Sequence, residues 1–192
     1  MENEPNLKPT TWETAACLMA YRIDDAREQG LQHPEVEHGF LGLLTTMRNE
    51  YDSFCYKAYG VIEEDLDAQI VANWFTAFAT LALDAGESHE DIHVTSAIDI
   101  VPFIAMKQHD YGHMNIQRFG LDGILVRLHD KLARLENLET KHYDASTDAL
   151  CEAKEDTIVD IIGYSIIACM YAYGMWMLPL SPMPEDWETE DL

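Results

Sequence analysis

Residues 121–139 read LDGILVRLHDKLARLENLE, and this stretch decides the fold. At about 100° per residue, Leu121, Ile124, Leu125, Leu128, Leu132 and Leu135 fall on one face. That is the three-and-four spacing of an amphipathic helix, not the alternation of a strand. Behind Gly120 and Gly123 the pattern predicts a helix over about 122–139. Such a stripe is stable only against other apolar faces.

The rest of the chain supplies them. Downstream, residues 140–150 read as a loop, and a helix follows from about Leu150 to Leu178, ended by Pro179-Leu-Ser-Pro-Met-Pro184. Upstream, Pro102 opens a helix that runs through Ile104, Ala105 and Lys107 to Gly112. Gly86 to Ile100 is polar and gives no clear period. Three more helices are predicted before it: Thr11 (a cap) to Gly30, from after His33-Pro34 to Gly60, and Glu64 to Asp84 with Ile70, Trp74, Phe78 and Leu81 on its stripe. The expectation is an all-α, single-domain bundle of about six helices over 1–192. N-terminal helices occupy 11–86, motif-bearing helices 102–178, and an acidic tail 185–192.

Composition limits the function. Apolar residues make up 47 %, enough for a real core. Twelve Lys and Arg against 35 Asp and Glu give a net charge of −23, which disfavours duplex nucleic acid as a partner. No secretory leader is visible, and Cys17, Cys55, Cys151 and Cys169 form no CxxC pair, so a cytoplasmic protein with reduced thiols is expected. Ile158 to Leu178 is apolar enough to suggest a membrane span, but Asp160 lies inside it and no Lys or Arg follows. A central bundle helix explains it better.

Cations are concentrated in one place. Residues 107–134 hold five of the twelve, Lys107, Arg118, Arg127, Lys131 and Arg134, against three acids. Arg127, Asp130, Lys131 and Arg134 form a stripe beside the apolar face of 122–139, while His129, Ala133, Glu136 and Asn137 take the outer side. Two arginines and a lysine so spaced suit phosphate oxygens, with the glycine-rich helix start adding N–H donors. An i, i+4 salt-bridge ladder through Asp130 explains the spacing equally well. On the last helix Asp156 and Asp160 share a face with Tyr164 and Tyr171. Asp160, between Val159 and Ile161, needs a cation: Arg127, Arg134 or a divalent ion. His89-Glu-Asp-Ile-His93 matches HExxH in a polar context that makes chance the better account of it. His109 and His113, separated by Gly112, read as surface residues.

In order, Lys107-Gln-His-Asp-Tyr-Gly112, Phe119-Gly120, Gly123, Arg127 to Leu135, Asp156-Thr-Ile-Val-Asp160 and Tyr164 carry a resemblance. Over roughly 104–170 the chain resembles the type-one nucleotide-modification-associated domain of phages and bacteria. It is also similar to the MazG-like proteins of phage genomes, which are helical bundles and usually oligomeric. The resemblance implies a nucleotide-metabolism protein. As an enzyme it would be a hydrolase, a Mg²⁺- or Mn²⁺-dependent (d)NTP pyrophosphohydrolase, with a homo-oligomeric state. It implies Asp130, Asp156 and Asp160 as metal ligands, Glu152 and Glu155 as catalytic residues, and Lys107, Arg127, Lys131 and Arg134 as phosphate binders. The chain departs from the MazG pattern in lacking an ExxE helix followed by an ExxD helix. Two alternatives stand beside the enzyme: a non-catalytic nucleotide-binding module, and an acidic interaction protein that mimics nucleic acid. For the missing acids, Glu35, Glu37, Glu50 and Asp52 are candidates.

Overall fold

Thr11 starts the first helix as a residue before an apolar run should. Its hydroxyl accepts the Thr14 N–H at 3.3 Å, and the Thr14 hydroxyl accepts the Thr11 N–H at 3.1 Å, a reciprocal cap that satisfies two otherwise free donors. The computed structural model describes residues 8–30, 39–59, 66–90, 92–140 and 147–182, with side chains from 153 onward in the last segment. Within them lie α1 (Trp12–Glu28), α2 (Phe40–Tyr59), α3 (Ala68–Glu87), α4 (Val101–Tyr111), the single turn α5 (Met114–Gln117), α6 (Gly120–Thr140) and α7 (Thr147–Ala172). The fold is an all-α bundle, with no strand among the described residues. Glu35, Glu37, Asp91, the side chains of Cys151 and Glu152, and the tail 185–192 lie outside them.

The α3–α7 packing is the centre of the molecule; α6 lies on α7, α2 on α3 and α6, and α1 spans α3 and α7. The leucine face of α6 is buried as its period requires: Ile124, Leu128, Leu132 and Leu135 have no exposed surface, each stabilising the fold by about 1.5–3 kcal/mol. No helix among the described residues is long and apolar enough to cross a membrane.

Several boundaries and faces differ from the sequence expectation. The last helix stops at Ala172, not Leu178. Gly174, at φ +69°, donates to the Tyr171 carbonyl, and Met175 donates to Met170. This left-handed termination releases the following residues to fold back. α7 also begins at Thr147, inside the expected loop. On α3 the buried face is Val71, Phe75, Phe78 and Ala82, whereas Ile70 is 49 % exposed. The 89–93 segment is not helical. α3 ends at Glu87, and the chain then runs extended with Ile92 and Val94 turned inward, which separates the two imidazoles from a common helix face.

The folded-back C-terminal strap crosses α1. The Glu13 carboxylate accepts the Ser181 N–H at 2.9 Å and its hydroxyl at 2.7 Å, and Trp12 N–H donates to the Pro179 carbonyl at 2.9 Å. His109 lies 3.4 Å from Glu13, and His113 meets the Leu178 carbonyl at 2.8 Å. Both histidines are therefore structural, not surface residues. Burial pushes the Glu13 carboxyl up, but the two Ser181 bonds outweigh it and hold the group below its ordinary 4.5. Glu136 is held down chiefly by its bidentate bond from Arg48. A carboxylate with a depressed folded pKa stabilises above its unfolded value and loses that contribution as pH falls towards the folded one. The melting temperature should therefore drop between about pH 5 and 3. Glu13→Gln should lower it at neutral pH and flatten that acid slope; an unchanged slope in thermal melts would show that the strap contributes nothing.

Candidate functional site

Two helices present matching stripes to one cleft. Along α4, Ile104, Lys107, Gln108 and Tyr111 stand at i, i+3, i+4 and i+7; along α7, Asp160, Gly163, Tyr164 and Ile167 repeat the spacing. Asn115 and Ile116 of α5 and Arg127 of α6 complete the lining. Counted out to its open mouth, the cleft holds about 490 Å³, within the roughly 300–1,000 Å³ usual for small-molecule sites. α4 packs on α1 more than on α7, which leaves this seam open. Its floor is closed at Gly163, where a Cβ would lie 2.8 Å from Ile104 Cγ2.

Asp160 is the electrostatic centre. Its Oδ1 takes Lys107 Nζ at 3.1 Å and its Oδ2 takes Lys131 Nζ at 2.6 Å, while its side chain is only 18 % exposed. The cation expected from Arg127 or Arg134 is thus supplied by two lysines from different helices. One negative charge between two positive ones leaves the group cationic. Arg127 instead reaches the Tyr164 hydroxyl at 3.3 Å and lies over that ring. Lys107 also sits 4.0 Å from the centre of the Phe103 ring.

The polar row of α6 therefore splits. Arg127 and Lys131 turn to α7, while Asp130 and Arg134 are exposed and make no ion pair among the described residues, so the expected ladder through Asp130 is absent. The supposed outer side of α6 faces α2. Glu136 takes both Arg48 bonds at 2.7 and 2.9 Å, and His129 lies against Arg48 and Tyr51.

Next along the same seam is a second hollow, lined by His93, Asp99, Phe103, Glu155, Asp156 and Val159 among others. Asp156 and Glu155 belong here, one helical turn before Asp160. Glu50 and Asp52 lie on α2 and line neither hollow. The described residues do not fit a resident metal centred on Asp160. Both its oxygens are held by ammonium groups, and no set of three or more His, Cys, Asp or Glu side chains among the described residues is arranged to hold an ion.

Comparison with protein-family models, curated proteins and solved structures found no match. Function is accordingly read from the cleft itself.

Three lining residues carried no expectation from spacing: Gln108, Tyr111 and Asn115. Gln108 is 3 % exposed and its Nε2 has no hydrogen-bond partner; Asn115 Oδ1 is buried and equally unpartnered. The only earlier signal was that Gln108 follows Ile104 by four residues on a helix whose other stripe is apolar.

Proposed function

We propose that this cleft binds a nucleoside phosphate, with the phosphates on Lys107, Lys131 and Arg127. What carries the reading is the convergence of those three cations, from two helices, on Asp160 and Tyr164 in a chain of net charge −23. In so acidic a molecule, cations grouped in a concave, partly desolvated place are the natural seat of an anion, since screening is weakest there. The isoleucines and tyrosines beside them suit the apolar faces of a base. Calorimetric titration of the four dNTPs tests this. Arg127→Glu and Lys131→Glu should each weaken binding at least about tenfold, or ~1.4 kcal/mol. Binding unaffected by either reversal would exclude the cleft.

A second reading, hydrolysis of the (d)NTP phosphoanhydride, is favoured by the hollow that holds Glu155 and Asp156. A Mg²⁺-nucleotide brings its own ion and uses only one or two protein carboxylates beside its phosphates. Pyrophosphate release measured alongside the titrations separates the enzyme from the binding module.

A further inference from the structure

We propose that Gln108 and Asn115 read the edge of a nucleobase, an inference that rests on the nucleoside-phosphate reading and assigns the other end of the ligand. Three buried side-chain polar atoms lack a hydrogen-bond partner among the described residues: Trp12 Nε1, Gln108 Nε2 and Asn115 Oδ1. Two of the three belong to residues lining one cleft. Native proteins leave few such atoms, because each loses its water without gaining a partner. Two in one concavity mark a place completed by a ligand.

The pair is chemically complementary. Gln108 Nε2 is a donor and Asn115 Oδ1 an acceptor. An ionised phosphate offers acceptors only, so it satisfies the first and never the second. A ligand that satisfies both carries a donor beside an acceptor, as the hydrogen-bonding edge of every nucleobase does. A sugar hydroxyl meets the polar requirement too, but the walls here are Ile104, Ile116 and Ile167 with Tyr111 and Tyr164, surfaces that suit a flat ring better than a hydroxylated one.

Position gives the ligand a direction. The α4–α7 contacts advance in the same order on both helices. Phe103 shares its hollow with Val159, Lys107 meets Asp160, and beyond α4 the His113 carbonyl meets Trp176. The lysine–aspartate group therefore lies towards the acidic hollow, and Asn115 towards the other end. A nucleotide laid along the seam has its base at the amides and its phosphates at the lysines.

The test is a comparison of base-bearing with base-free anions. Wild-type chain should bind a dNTP at least tenfold more tightly than tripolyphosphate or ribose 5-phosphate. Gln108→Leu, which replaces the unpartnered amide by an apolar group of similar size, should raise the melting temperature of the free chain. It should also weaken dNTP binding tenfold or more while leaving tripolyphosphate affinity unchanged. A merely structural glutamine would not give a gain in stability together with a loss of base-dependent affinity. Asn115→Leu supplies a second, independent variant. Should dNTP and tripolyphosphate bind wild type equally, or both variants bind dNTP undiminished, base reading is wrong although the phosphate site stands. Should neither anion bind, the nucleoside-phosphate reading falls and takes this one with it.

Discussion

Trp176→Ala should lower the unfolding free energy by about 3–5 kcal/mol and weaken nucleotide binding at a cleft the indole does not line. The ring is 2 % exposed and packs edge-on against Trp12, centroids 5.9 Å apart, and against His113 at 5.8 Å. Its Nε1–H donates to the His113 carbonyl at 3.0 Å. Removing it opens a cavity between the strap and α1 and leaves that carbonyl without its donor. The second consequence follows from where His113 sits. It lies between Gly112, which ends α4 at φ +64°, and Asn115, whose amide faces the cleft. A loosened turn there lets Asn115 and Tyr111 drift, so affinity falls with nothing in the cleft altered. Trp176→Phe separates the two effects, since it keeps most of the packing and loses only the N–H, worth about 1 kcal/mol. Urea unfolding gives the first quantity, and calorimetry well below the melting transition gives the second. Normal affinity in a folded Trp176→Ala protein would show that the strap does not hold the cleft in shape.

How much of this was legible depends on the range over which each feature is decided. The leucine face of α6 is local, and its period placed every one of its buried residues correctly. Asp160 was legible as a charge in an apolar neighbourhood because its neighbours in sequence are its neighbours on the helix. Its partners were not. Lys107 is 53 residues away, and the choice of Lys131 over Arg127 comes from helix register. α6 and α7 run antiparallel, pairing Lys131 with Asp160, Arg127 with Tyr164 and Glu139 with Lys154. Glu136 looked solvent-facing only because nothing in the local pattern announces that Arg48 of α2 covers it. For the same reason Gln108 was missed. A polar residue at a helical position reads as surface, and its burial is set by the way α4 settles between its neighbours. The HExxH segment failed in the opposite sense. A motif that needs a helix fell where Ile92 and Val94 alternate inward as extended chain, anchored by Asp24, which accepts from Ser96 Oγ and the N–H groups of Ala97 and Ile98.

Asp160→Asn is the substitution on which the two views of that residue disagree most. A metal ligand so replaced loses ion-dependent binding and activity together. As the counter-ion of Lys107 and Lys131, the same residue competes with any phosphate for those ammonium groups, and its removal raises the local charge by one unit. At about 4 Å that unit is worth ~1 kcal/mol in water and up to ~4 kcal/mol at the lower effective dielectric of a protein surface. The lysine side chains are 41 % and 24 % exposed, which places the gain towards the lower figure, a rise of about five- to thirtyfold in affinity for tripolyphosphate. The free protein should lose about 1–2 kcal/mol, because two part-buried ammonium groups are left facing each other with only an amide between them. Added polyphosphate should restore that stability by mass action. Chemical unfolding with and without tripolyphosphate, in the absence of divalent ions, measures both changes. Weaker anion binding by the variant under those conditions would contradict the counter-ion role and return Asp160 to the ligand-holding groups.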